Sequence, residues 1–158
     1  GYAIAFVPED LKSPELCLIA VKDYPFALMY IPEKIKTQEL CELAVRIAPE
    51  GFILQYVPEK LKLPELCKIA VEKYGMNLGD VPEELKTVEL CEVAVKDFPY
   101  ALQYVPEELK TLEICSVALS QGYLSAELLE AFVPEEFQEE LAEKYDIELP
   151  KKPDERGR

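Results

Sequence analysis

The 158-residue chain contains no histidine, no tryptophan, only two methionines, and six glycines. Without histidine it lacks the commonest general base and the commonest metal ligand. The glycines are scattered singly, so no glycine-rich loop is present to cradle a phosphate. Serine is sparse and has no base partner in sequence. Long apolar runs are missing too. None approaches the roughly 20 residues that cross a bilayer, and no basic segment followed by an apolar one marks a signal peptide. Basic residues are few, 17 against 31 acids, for a net charge of −14. A surface of that sign repels a phosphate backbone and an anionic membrane, so neither direct nucleic-acid binding nor membrane binding is expected.

What is present is regular. Apolar residues make up 49% of the chain and charged residues 30%, the balance of a folded domain. The tetrapeptide [VI]-P-E-[EDK] occurs six times, with its first residue at Val7, Ile31, Val57, Val81, Val105 and Val133 and spacings of 24, 26, 24, 24 and 28. Five cysteines, Cys17, Cys41, Cys67, Cys91 and Cys115, keep the same beat. Two independent markers in register are the signature of a repeat array.

The clearest unit is 87–110. Thr87 stands at a helix N-cap with Glu89 in the first turn, and Ser13, Thr37 and Thr111 occupy the equivalent cap. Pro14 and Pro64 fall at the first helical position, where a missing N–H is harmless. Leu90, Cys91, Val93, Ala94 and Val95 make the helix apolar around more than half its circumference, so both flanks must be buried by neighbours. A short second helix is expected around Ala101–Tyr104, ended by Pro106, with one more helical turn at Glu107–Leu109. The extra residues of the second and fifth units lie around Ala48–Gly51 and Gln121–Glu130, between the two helices.

The expected fold is therefore all-α: an α-solenoid of about five two-helix units with a polar C-terminal capping helix. A half-repeat spans 2–12, and units follow at 13–36, 37–62, 63–86, 87–110 and 111–138. A cap at 139–149 completes one domain, 1–149, and 150–158 reads as a tail or linker. Residues 127–149 carry nine acids against Lys144 alone, so acidity concentrates at this end.

The motif A-L-x-Y-[VI]-P-E-E-L-K-T-x-E-L-C-x-x-A-V, clearest at Ala27–Lys36 and Ala101–Lys110, resembles a family of bacterial helical repeats of unknown function whose units read roughly A-L-x-Y-A-x-E-E-L-K. The resemblance covers 3–136. It implies an α-helical array of bacterial origin and brings no activity or site residues. Proline before Glu-Glu departs from the family pattern.

The cysteines sit at one equivalent apolar position per unit. Adjacent helices in a stack lie about 8–10 Å apart, whereas a disulfide needs Cα atoms within about 7 Å, and one zinc ion cannot bridge such a ladder. Buried core thiols are expected, in a reducing and hence cytoplasmic setting. No cofactor or metal is expected.

Stacking also turns repeat positions into rows. Glu15, Glu39, Glu65, Glu89 and Glu113 form a candidate acidic edge, set against the plainer reading of glutamates that favour the helix dipole. Glu9, Glu33, Glu59, Glu83, Glu107 and Glu135 form a second row. Lys12, Lys36, Lys62, Lys86 and Lys110 form a third, three residues on, as a solubilising surface paired locally with the second. Phe6, Tyr30, Tyr56, Tyr104 and Phe132 form an aromatic row expected in the core. The third unit breaks that row. Asp80 replaces an aromatic, Asn77 replaces Ala or Ile, and Gly79 weakens the short helix. Asn77, Gly79 and Asp80 are thus a candidate binding notch, against the plainer reading of repeat drift.

A non-enzymatic module that binds a protein, or serves as a scaffold, is the leading functional expectation. An acidic, phage-encoded inhibitor that mimics nucleic acid is the second. Self-assembly through the half-repeat 2–12 is the third, and an enzyme is the least expected.

Overall fold

The computed structural model describes residues 1–49, 51–120 and 126–149. Its α-helices are α1 (Pro14–Asp23), α2 (Gln38–Ile47), α3 (Pro64–Lys73), α4 (Val88–Asp97), α5 (Leu112–Ser120), α6 (Ala126–Phe132) and α7 (Glu135–Tyr145). Between them run 3-10 segments, and no strand occurs among the described residues. The chain is an all-α helical repeat array.

The unit around α4 shows how the sequence builds the repeat. The Thr87 hydroxyl accepts the Leu90 N–H at 3.2 Å, and Ser13, Thr37 and Thr111 do the same for α1, α2 and α5. A capping bond of this kind holds about 1 kcal/mol of helix stability. The α-helix ends where Phe98 turns extended. A 3-10 helix then runs Pro99–Tyr104, and a second follows at Glu107–Leu109 after the extended pair Val105–Pro106.

The short second helix expected in each unit is, in the first four, a 3-10 helix. Only six residues fit between the extended Phe98 and the Val105–Pro106 break. In so short a span, bonds to the third residue back satisfy more backbone groups than bonds to the fourth. The fifth unit is four residues longer, and there the element is α6, a true α-helix. The third element of that unit also differs. Pro134 opens α7 directly, so the capping helix begins at Glu135 and not after 138. α7 buries Leu141 and Ala142, and its Tyr145 hydroxyl donates to the Ser116 carbonyl of α5 at 2.9 Å. Asp146, at φ 54°, closes it in the left-handed conformation.

Helices α1 to α5 pack side by side; α1 and α4 also pack against the 3-10 segments of both their own and the preceding unit, α2 and α5 against that of the preceding unit, and α3 against its own. That double burial requires small residues. The core ladder is Cys-x-x-Ala-Val in α1 to α4, with Cys115, Ala118 and Leu119 in α5, all buried. Leu28, Leu54, Leu78 and Leu102 fill the space beneath the 3-10 segments and are fully buried. Each such leucine contributes about 1.5–3 kcal/mol.

Two rows sit differently from expectation. The lysines are not a solvated surface: the side chains of Lys62, Lys86 and Lys110 are 8%, 4% and 7% exposed. They do pair with Glu59, Glu83 and Glu107 three residues earlier. Their ammonium groups also point into the array. Lys12, Lys36, Lys62 and Lys86 donate to the carbonyls of Tyr30, Tyr56, Asp80 and Tyr104 in the next unit, at 2.6, 2.7, 2.7 and 2.9 Å. The chain turns extended after each of those residues, so no helical N–H reaches the carbonyl. A lysine stem along apolar surface delivers the missing donor.

The aromatic row, in turn, is not core. Phe6 is 79% exposed, and Tyr30, Tyr56, Tyr104 and Phe132 are half-buried at the rim.

Candidate functional site

The half-buried rings form a strip along the 3-10 face. A ring from one unit meets the rim aromatic of the next edge-on. The centroid distances are 5.5 Å for Tyr2 and Tyr30, 6.4 Å for Phe26 and Tyr56, and 6.4 Å for Tyr100 and Phe132. Two steps of the ladder are missing. Phe52 has Asp80 as its counterpart, and Met76 stands where a ring would face Tyr104. Phe52 turns instead to Tyr74, 5.1 Å away.

At this interruption the surface opens into a cavity of about 400 Å³, lined by Phe52, Gln55, Met76, Gly79, Asp80 and Tyr104. Gly79 helps to shape it, because a Cβ there would lie 2.9 Å from the Tyr104 ring. The ring therefore rests on the glycine.

Asp80 is half-buried in the wall. Burial pushes its carboxyl above the usual carboxylate range, more strongly than nearby Lys62 pulls it down. Lys62 spends its hydrogen bonds on the Asp80 backbone carbonyl and on Glu59, at 2.7 and 2.8 Å.

Asn77 lies beneath the notch, fully buried. Its side-chain oxygen accepts the Leu54 N–H at 3.3 Å, and its amide nitrogen donates to the carbonyls of Gly51, Ala70 and Tyr74 at 3.0–3.1 Å. Two of these four partners, the Leu54 N–H and the Gly51 carbonyl, lie in the second unit. Two extra residues there replace the first 3-10 turn with an irregular connection. Gly51 sits at φ +144° beneath the Phe26 ring, a backbone region that suits glycine, and the 3-10 helix is cut to Leu54–Tyr56. Lys73 completes the repair by donating to the Ala48 carbonyl at 2.9 Å. The equivalent residue in α1 and α4 is an aspartate. Asp97 of α4 accepts the Gly75 N–H at 2.7 Å, and Asp23 of α1 pairs with the Gly1 ammonium. Asn77 is thus a fastener between units, while Gly79 and Asp80 face the cavity. Sequence reasoning missed Lys73, although its departure from aspartate one unit after the insertion was a visible signal. Phe52 and Gln55, which complete the wall, carried no signal.

The acidic edge Glu15, Glu39, Glu65, Glu89 and Glu113 is exposed. Glu15, Glu39 and Glu89 are held below the usual range by their own backbone N–H groups and by Ser13, Thr37 and Thr87, as helix-start carboxylates are. Glu65 and Glu89 flank a groove of about 490 Å³ between α3 and α4, and Glu39 lines one of about 350 Å³ between α1 and α2.

All five cysteines are free and buried. Burial pushes Cys41, Cys67, Cys91 and Cys115 up to about 11 against the pull of Lys36, Lys62, Lys86 and Lys110. Thiols so placed stay protonated and unreactive at neutral pH. Among the described residues, no cluster of three potential ligands is placed to hold a metal. Nor is any described helix long and apolar enough to cross a membrane.

Residues 13–62 and 64–110 each match the model of a domain of unknown function, DUF4116. The chain belongs to this family. Each DUF4116 match takes in two repeat units and ends on a lysine of the buried row, Lys62 or Lys110. No curated protein and no solved structure matches the chain.

Proposed function

We propose that this DUF4116 array is a non-enzymatic protein-binding module whose recognition face is the aromatic strip, with the Asp80 notch at its centre. The observation that carries the reading is the interruption of the ring ladder, which opens a cavity at one place in an otherwise repeating face. Half-buried tyrosines and phenylalanines offer rigid apolar area with polar edges, the composition favoured at protein interfaces. The five thiols lie in the core, and Lys12, Lys36, Lys62 and Lys86 are engaged in carbonyl bonds between units.

The test is capture from nuclease-treated lysate of the source organism with the wild type and Asp80→Tyr side by side, followed by calorimetry with the purified captured protein. A partner whose affinity falls at least tenfold for Asp80→Tyr supports the reading. Equal affinity for both removes the notch from it. Self-association through the half-repeat would act on a different surface, where Phe6 and Leu11 are 79% and 63% exposed. Growth of particle mass with concentration, measured by light scattering, would favour that alternative.

A further inference from the structure

We infer that the notch takes a cationic side chain, specifically an arginine guanidinium, presented by a basic segment of the partner protein. This rests on the binding-module reading and names what the site recognises.

The argument begins with the wall. Phe52 and Tyr104 supply aromatic surface and Met76 a thioether stem, around a cavity of about 400 Å³. Into this wall of aromatic and polar groups the fold places one carboxylate, Asp80. Among the described residues its side chain receives no hydrogen bond and no ion pair; Lys62 attracts it from nearby but spends its own bonds on the Asp80 backbone carbonyl and on Glu59. Gln55 lines the same wall. Its amide nitrogen donates to the Phe52 carbonyl at 2.9 Å, which leaves its side-chain oxygen as an acceptor.

Each class of occupant can be weighed on that chemistry. An anion meets a carboxylate in a chain of net charge −14. An apolar side chain would strip water from the Asp80 carboxylate and give nothing back, a cost of several kcal/mol for an unpaired charge. A cation gains on every side: it neutralises the carboxylate and lies against the ring faces. A guanidinium suits the wall better than an ammonium. It is flat, weakly hydrated, and carries donors enough to reach both Asp80 and Gln55 while stacking on an aromatic ring. The net charge steers a basic segment toward the array from a distance, while the notch selects the residue that anchors it.

The experiment uses the full chain, isotopically labelled, titrated by NMR with a capped Gly-Arg-Gly peptide and with the same peptide carrying citrulline, the neutral isostere of arginine. The expected result is saturable movement of the Gln55, Gly79 and Asp80 amides. Binding should be about fivefold or more tighter for arginine than for citrulline, and that preference should be lost in Asp80→Asn. Equal response to citrulline, an undiminished preference in Asp80→Asn, or movement gathered on the acids of α7 would each overturn the assignment. If the notch amides stay still while Asp80→Tyr abolishes partner binding, the module stands and the guanidinium falls. If neither responds, both fall.

Discussion

Two stretches of this array do the same architectural work in different ways. Around α4 the repeat closes on itself. Ala101 fills a buried position with nothing but a methyl group, and the regular 3-10 turn satisfies its own backbone, as in the Ala101 N–H bond to Phe98 at 2.8 Å. At the junction of the second and third units, two extra residues remove that turn. The backbone groups it would have satisfied are handed to side chains of the next unit, Asn77 and Lys73. A deviation in one repeat is thus answered by deviations one unit later. The departures at Asn77 and Lys73 are compensation, and those at Gly79 and Asp80, which nothing in the backbone requires, are the ones the proposed recognition face would use.

The comparison is broken most sharply at Asn77. Asn77→Ala installs the residue of the regular unit, yet it leaves the buried Leu54 N–H without its partner and takes a donor from the carbonyls of Gly51, Ala70 and Tyr74. We expect a loss of about 2–4 kcal/mol in urea denaturation. In a chain shortened by residues 49 and 50, the same substitution should cost less than about 1 kcal/mol; an undiminished cost would sink the compensation account. Next comes the regular unit. Lys86→Met keeps the stem but removes the donor to the Tyr104 carbonyl, and thermal and urea unfolding should report a loss of about 1–3 kcal/mol. A neutral outcome would mean that water serves that carbonyl equally well.

Asp80→Tyr restores the rim aromatic opposite Phe52 and should raise stability by about 0.5–1.5 kcal/mol, visible as a higher Tm. A lower Tm would show that the junction has moved Phe52 out of register with the row. The smallest effect belongs to Asp80→Asn. The folded state holds the Asp80 carboxyl above its unfolded value, so ionisation opposes folding. The wild type should lose stability as pH rises from about 3.9, the ordinary aspartate value, through the raised one. Asp80→Asn should therefore match the wild type in acid and exceed it above that window. The gain is under about 1 kcal/mol, because solvent screens a half-exposed group. A difference that persists in strong acid would tie the effect to packing and not to charge.

Much of the fold was legible in the chain. The caps at Ser13, Thr37, Thr87 and Thr111, the stops at each Val-Pro or Ile-Pro, and the double-flanked burial around each cysteine follow from local rules that act within one turn of the residue concerned. The 3-10 character of the second element was not legible, because it depends on how many residues lie between two breaks and not on their identity. The lysine row read as solvent-facing because lysine usually is; only the position of the next unit's unsatisfied carbonyl turns it inward. The aromatic row read as core for the converse reason, since ring size says nothing about which end of a segment lies at the rim.

The candidate notch shows the same division. Periodicity alone marked Asn77, Gly79 and Asp80 as exceptions, because a repeat supplies its own internal standard. Sorting them required the fold: Asn77 bonds to residues 23 and 26 positions away, and Phe52 and Gln55 join Asp80 only where two units meet. Sequence by itself determined the repeat, its helices and its core, since these rest on short-range capping, chain breaks and apolar spacing. Tertiary structure alone decided which polar side chains serve the backbone of a neighbouring unit and which face the cavity, because a hydrogen bond between units depends on where stacking brings a carbonyl.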